Sequence, residues 1–344
     1  MTPPPGFPRR RPLVFGAVLT AVLIAIVAGA FSGVRLGSQA KQQRGFALPT
    51  WNTDGYDHPR LAESLRQMAN LGAEWVQINP TWYQGAVNAN AIERQARTAS
   101  DAGVERVVSL AHEQGLKVLI KPHVDISDGE YRGYIHPSDP ASWFASYRAF
   151  IGHYARLATR TRAEQFAVGT ELAGVSADRA SWLDIISLVR VEYSGPLVYA
   201  ANYDEYSQVA FWDAVDLIGV DAYWPLSQQS TVDVSQLQRA WLPIRTELAA
   251  FSAKADRRIL FTEAGYTSQR GATTAPYSWR VSHLPAHAEQ AAGYQALLTS
   301  FSEQDWWAGI FWWAWTVPST DEDPALGYSP HGKAAERVVR RWWT

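Results

Sequence analysis

The sequence contains no cysteine. Disulfides, thiolate nucleophiles and cysteine-ligated zinc are therefore excluded. The first 44 residues also contain no Asp, Glu, Trp or Tyr, while they carry Arg9, Arg10, Arg11, Arg35, Lys41 and Arg44. From residue 45 onward, 25 Lys and Arg face 33 Asp and Glu, a net charge of −8. A surface of that sign repels phosphate backbones, so no nucleic-acid partner is expected. Nor is there a Gly/Ser- or Pro-rich linker after residue 45, so residues 45–344 read as one domain. That length suits a (β/α)8 barrel, which needs about 250 residues.

At the amino terminus, "PRRRP" precedes Leu13 to Val34, a run of 22 residues without a charge. A membrane-spanning helix needs about 20 apolar residues. Leu13 to Val27 followed by Ala28-Gly29-Ala30 equally fits a signal peptide with its small-residue cleavage site. Both readings stand, with the uncleaved anchor preferred. In either case the arginines stay in the cytoplasm and the remainder is extracytoplasmic. Residues 1–44 thus read as a basic stub, an apolar signal or anchor and a short linker.

Beyond residue 45, apolar strand-like segments alternate with helical stripes. "GFALPTWN" reads as the first strand; Leu61, Leu65 and Met68 then form a helical face stopped by Gly72. "EWVQINPTW" is the second strand, followed by the stripe Val104, Val107, Val108 and Ala111 and by Gly115. "LKVLIKPHVDI", "QFAVGTELAG", "PLVYAANY", "DLIGVDAYWP", "RRILFTEAGY" and "AGIFWWAWT" supply strands three to eight. Helices are expected over residues 142–161, 180–193, 235–252, 286–302 and 333–340. Eight parallel strands is the count at which a barrel closes, which predicts a TIM barrel. A doubly wound open sheet is the alternative, but "PTWNTDGYDHP" lacks the glycine-rich phosphate turn that such sheets carry after strand one.

Barrel active sites lie at the carboxyl ends of the strands. Strand two delivers Asn79 and Trp82 there, and strand three Lys121, His123 and Asp125. Strands four to six deliver Glu171, then Asn202 and Tyr203, then Asp221 and Tyr223; strand seven gives Glu263, and strand eight Trp313 and Trp315. With period-two alternation Ala167, Gly169 and Glu171 share one face, as do Ile259, Phe261 and Glu263, and those faces are expected to point inward. Two carboxylates projecting into one mouth need an explanation. Glycoside hydrolysis supplies one, because one carboxyl protonates the leaving oxygen while the other attacks the anomeric carbon. A structural ion pair with a base such as Lys121 is the bland alternative. All 16 Trp and 15 Tyr lie beyond residue 44. Those at strand ends, Trp82, Tyr203, Tyr223, Trp224, Trp313 and Trp315, suit the apolar faces of sugar rings. His123 and Asp125 could contribute to a metal site, yet His112, His136 and His153 fall in helical or distal segments. Hydrogen bonding to sugar is the preferred role, with no cofactor or metal expected.

"VGTELAG", "DLIGVDAYWP", "FTEAGY" and "GIFWWAW", with "IKPHVD" on strand three, resemble glycoside hydrolase family 113. That family belongs to clan A of retaining barrel glycosidases, and its characterised members are endo-β-1,4-mannanases. The resemblance spans about residues 45 to 340. It implies that Glu171 is the acid/base and Glu263 the nucleophile. It also implies that Lys121, His123 and Tyr223 contact sugar or orient the carboxylates, and that Trp313 floors the cleaved-sugar subsite. Trp82, Thr170, Asn202, Tyr203 and Asp221 complete the expected binding set. Thr170 is a departure, since many clan A members have Asn there to bind the sugar 2-hydroxyl. The expected partner is a polysaccharide or oligosaccharide bound by a monomer. Three rival readings are a catalytically inactive carbohydrate-binding barrel, a hydrolase of another β-glycan and an exo-acting mannosidase.

Overall fold

Eight parallel strands close into a barrel in the computed structural model, which describes residues 41–316 and 323–344. In chain order the strands are β1 Gln43–Pro49, β2 Trp75–Asn79, β3 Thr81–Gln84, β4 Lys117–Ile120, β5 His123–Ile126, β6 Gln165–Thr170, β7 Leu197–Asn202, β8 Leu217–Asp221, β9 Ile259–Ala264 and β10 Trp307–Trp312. The barrel runs β1-β10-β9-β8-β7-β6-β4-β2, and β3 pairs with β5 as a separate parallel ribbon. The second and third expected strands are each interrupted at proline. Pro80 and Pro122 have no N–H to donate, so the ladder lapses there and resumes one or two residues later. The amino-terminal segment to residue 40, and with it the signal or anchor reading, lies outside the described residues.

Seven helices are described: α1 Leu61–Asn70, α2 Asp101–Glu113, α3 Pro140–Thr161, α4 Arg179–Glu192, α5 Val234–Ala255, α6 His287–Phe301 and α7 Ala334–Trp343. Each covers the helix expected from periodicity. Four of them start on a side-chain cap: Ser100, Asp139, Asp178 and Asp233 accept from backbone N–H groups of the first turn. Between β7 and β8 there is only a single turn of 3-10 helix, Trp212–Ala214. No helix among the described residues is long and apolar enough to cross a membrane.

Leu119, Ala167, Val198, Leu260, Ala308 and Phe311 form one buried cluster although they come from five strands around the ring. Only the barrel interior can bring them together, so they mark the inward phase of β4, β6, β7, β9 and β10. Phe311 lies over Gly45, where an added Cβ would sit 2.5 Å from the ring. The opposite phase, including Val76, Val118, Phe166, Ile218 and Phe261, packs against the helices in the main core.

That phase corrects the expected alternation. Ile259 and Phe261 face the helices, where Phe261 meets Trp241 and Phe301, while Leu260 points inward. Glu263 nonetheless reaches the interior because the β8–β9 register slips between Phe261 and Glu263. Likewise Ala167 is inward, but the β6–β7 register slips between Ala167 and Thr170. An added Cβ on Gly169 would lie 2.7 Å from Tyr199 and 2.8 Å from Trp182, so Gly169 faces outward and admits no side chain. A bulge re-aims the residues after it. Both glutamates therefore follow a break in phase.

Candidate active site

Regular alternation on β2, β4 and β8 turns Asn79, Lys121 and Asp221 inward above the apolar layer. Lys121 Nζ donates to Asp221 Oδ2 at 3.2 Å and to Glu263 Oε1. The other Asp221 oxygen accepts from Thr262 Oγ1 at 2.7 Å. Burial alone would lower the Lys121 pKa, but the charges of Asp221 and Glu263 overcome it and hold the ammonium above its usual range. Asp221 is pushed well up, first by burial and then by the charge of Glu263, with Lys121 opposing. Lys121 and Asp221 are both 0% exposed. Asp221 lies beneath the site, where it holds Lys121 rather than lining the surface a sugar would meet.

Lys121 in turn fixes Glu263. The second Glu263 oxygen, Oε2, accepts from the Tyr223 hydroxyl at 2.8 Å. His123 Nε2 stands 3.8 Å from Oε1. Burial, Arg132 and Lys121 hold the His123 pKa well below its usual value, so the imidazole is neutral. Lys121 Nζ, which can only donate, lies 3.5 Å from Nε2, and Asn79 Nδ2 lies at 3.0 Å. Nε2 is therefore the bare nitrogen and Nδ1 carries the proton.

Glu171 sits in a different environment. It follows β6 with φ of 51°, a left-handed conformation uncommon for a residue with a Cβ. Its N–H donates to Ala200 O at 2.7 Å, which ties the turn to β7. Arg132 Nη1 donates to Glu171 Oε2 at 2.9 Å. Arg132 is itself held by Asp125, which also accepts from Trp51 Nε1 at 3.0 Å. Burial raises the Glu171 pKa to about 7, the Arg132 charge opposing and the Glu263 charge adding to the rise. Glu171 is thus poised to carry a proton near neutrality.

The wall beside these carboxyls is aromatic. Trp313 stacks on His123 with ring centres 6.2 Å apart and 13° between planes. Trp51 and Trp279 meet Trp313 edge-on and flank a cavity of about 480 Å³ that opens beside the site. Tyr203 stacks on Tyr277 and tilts against Trp224.

The structure thus brings Glu171, Glu263, Lys121, His123, Asp221, Tyr223 and Trp313 together. Tyr203 lies on the rim, and Asn202 turns its amide to Asp204 at 2.9 Å. Trp82 is not in the site. It follows the break at Pro80 and packs on α3, donating to the Tyr154 hydroxyl at 3.0 Å and resting against Phe150. Thr170 is buried, with its hydroxyl donating to Pro122 O at 3.4 Å. Trp315 packs between Phe46 and His331 in the core. Arg132, Trp51, Trp279 and Glu205 were not anticipated. Arg132 and Trp279 lie in loops without periodicity, whereas Trp51, directly after β1, was open to the strand-end argument. Among the described residues no cluster of three His, Asp or Glu is arranged to hold a metal ion.

A family model for Glycoside Hydrolase Family 113 matches residues 46–333. The GH113 β-mannanase AaManA from Alicyclobacillus acidocaldarius, solved in complex with ManMIm, is 30% identical with a TM-score of 0.79, over 88% of this chain and 97% of that one. A GH113 β-1,4-mannanase solved as a complex is 27% identical with a TM-score of 0.78, over 88% of this chain and 99% of that one. No curated protein matches the sequence. The protein is a barrel glycoside hydrolase acting on O-glycosyl bonds of a polysaccharide or oligosaccharide. Within that class, the chain belongs to glycoside hydrolase family 113.

Proposed function

We propose that the protein is a retaining endo-β-1,4-mannanase in which Glu263 is the nucleophile and Glu171 the acid/base. The contrast between the two glutamates carries this reading. Glu263 receives Lys121 on one oxygen and Tyr223 on the other, which fixes and aims it. Glu171 has its pKa raised to about 7, which lets it enter the reaction protonated.

In the first step Glu171 gives its proton to the glycosidic oxygen while a Glu263 oxygen attacks the anomeric carbon. The C–O bond to the leaving sugar breaks and a glycosyl ester forms on Glu263. The negative charge on Glu263 is then consumed, so one cause of the raised Glu171 pKa disappears. Glu171, now a carboxylate, takes a proton from water as that water attacks the anomeric carbon and releases Glu263. Lys121 and Tyr223 hold the departing carboxylate in place. Trp313 offers a face to the sugar being cleaved.

The choice of mannan rests on the similarity to two structures described as β-mannanases. The Thr170 hydroxyl is engaged by Pro122 O, so it is a weaker candidate for a sugar 2-hydroxyl than the Asn that many clan A members carry there. Incubation with mannan, glucomannan, cellulose and xylan, with reducing ends and viscosity followed together, tests the assignment. Mannan should lose viscosity faster than it gains reducing ends. Cleavage of none of the four would leave a carbohydrate-binding barrel. The enzyme acts as an extracytoplasmic monomer, tethered through residues 13–34 or released after cleavage. A carboxyl-terminal reporter found in the cytoplasm would contradict that placement.

A further inference from the structure

Glu205 is a buried acid that the two-step reaction leaves unused. It lies just after β7, is 1% exposed, and has both oxygens engaged. Oε1 accepts from the Tyr199 hydroxyl at 2.6 Å, and Oε2 accepts from the Asn202 N–H at 3.0 Å. The Tyr199 oxygen in turn accepts from the N–H of Leu172 at 3.0 Å. Leu172 directly follows Glu171. A three-part chain therefore runs from Glu205 through Tyr199 to the peptide bond that joins Glu171 to Leu172. The Tyr199 ring reaches that position because Gly169 has no Cβ to block it.

The location of this chain matters because Glu171 holds a left-handed backbone with φ of 51°. Such a conformation costs about 1–3 kcal/mol and persists only when its surroundings enforce it. Two hydrogen bonds enforce it here, one on each flank. Glu171 N–H donates to Ala200 O, and Leu172 N–H donates to Tyr199. Both acceptors belong to β7. An isolated tyrosine hydroxyl could rotate away, but Glu205 takes its proton and leaves its lone pair facing Leu172.

We infer that Tyr199 and Glu205 form a positioning pair for the acid/base: Tyr199 locks the Glu171–Leu172 turn, and Glu205 orients Tyr199. The pair is built on the assignment of Glu171 as acid/base. The charged and titratable groups facing Glu171 are Arg132 and Tyr131 from the loop after β5, Lys121 just after β4, Asp221 from β8 and Glu263 from β9. Arg132 and Lys121 favour the ionised form of Glu171, whereas Glu263 and Glu205 oppose it. Glu205 carries its own raised pKa, to about 7, with burial the main cause and Tyr199, Asn202 and Ser176 opposing.

The test compares kcat/KM for an activated aryl β-glycoside, whose leaving group needs no proton, with that for an unactivated oligosaccharide, which does. Positioned proton donors contribute about 10²–10⁴-fold, so a misaligned donor is expected to cost the oligosaccharide about tenfold while sparing the aryl substrate. Tyr199→Phe should show that split. Glu205→Gln should show it too, because an amide has one oxygen and cannot accept from Tyr199 and from the Asn202 N–H on separate oxygens. Glu205→Asp, whose shorter side chain withdraws the carboxyl from Tyr199, should show the same split. Equal losses on both substrates in Tyr199→Phe and Glu205→Gln would reduce the pair to a packing role and overturn the inference. Glu171→Gln is the control. If that variant itself leaves the substrate ratio unchanged, the acid/base assignment falls first and the pair falls with it. Thermal melts of each variant identify any that fail to fold, and Glu205→Asp keeps the question open to measurement if Glu205→Gln is one of them.

Discussion

Arg132 donates from Nη1 to Glu171 Oε2 across 2.9 Å, setting a fixed cation beside the glutamate with the raised pKa. The two effects oppose each other and burial wins, leaving Glu171 protonated up to about pH 7. A general acid is needed in the first step, so kcat/KM for oligosaccharides should fall as pH rises through that value. Arg132→Ala removes a charge that favours ionisation. The alkaline limb should then move to higher pH, by about one unit for a charge at this range. A limb that moves down instead would show that Arg132 is not acting on Glu171.

The same raised pKa has a stability consequence. A carboxyl whose folded-state pKa lies above its unfolded value disfavours folding as pH rises from 4.5 to about 7, because the unfolded state then releases its proton more readily. The cost is absent in acid and complete above neutrality. Glu171→Gln should therefore melt with the parent at low pH and a few degrees above it in mild alkali. Equal melting temperatures at both ends would contradict the raised value.

Lys121 sits as one ammonium between two buried carboxylates, Asp221 and Glu263. Breaking a buried pair by removing one partner typically costs about 3–5 kcal/mol, since the other charge stays behind. Lys121→Met is expected to lose at least that much in urea unfolding at neutral pH. The loss should shrink in acid as the stranded carboxylates take up protons. Adding Asp221→Asn should recover part of it at neutral pH, and a double variant no more stable than Lys121→Met would contradict the linkage.

Much of this was legible in the chain, and the exceptions share a cause. Helix periodicity and the stops at Gly72 and Gly115 placed the barrel units, and the strand-end argument named Lys121 and Asp221, which meet there. Alternation also picked out Glu171 and Glu263, but for the wrong reason: each follows a slip in register that no period-two pattern contains. Trp82 was misplaced because Pro80 ends β2, and the residues beyond it belong to a ribbon over the rim. Arg132 was missed because its partner, Asp125, is seven residues away across an irregular turn. Residue type and phase identify strand interiors, whereas loop-borne groups are fixed by tertiary contacts that the sequence does not display.

Glu263→Ala should lower turnover by at least about 10³-fold, since removing a nucleophile removes the covalent route itself. Azide should restore part of the rate on an activated β-glycoside and yield a glycosyl azide of inverted configuration. Near-normal turnover without azide would move the nucleophile elsewhere.

The most direct test is the anomeric configuration of the first product. Proton NMR during the first minutes of hydrolysis of a β-1,4-manno-oligosaccharide should show the β-anomer first, with the α-anomer growing in only by mutarotation. That order requires two displacements and carboxyl groups about 5–5.5 Å apart. An α-anomer appearing first would mean a single displacement by water and would contradict Glu263 as nucleophile.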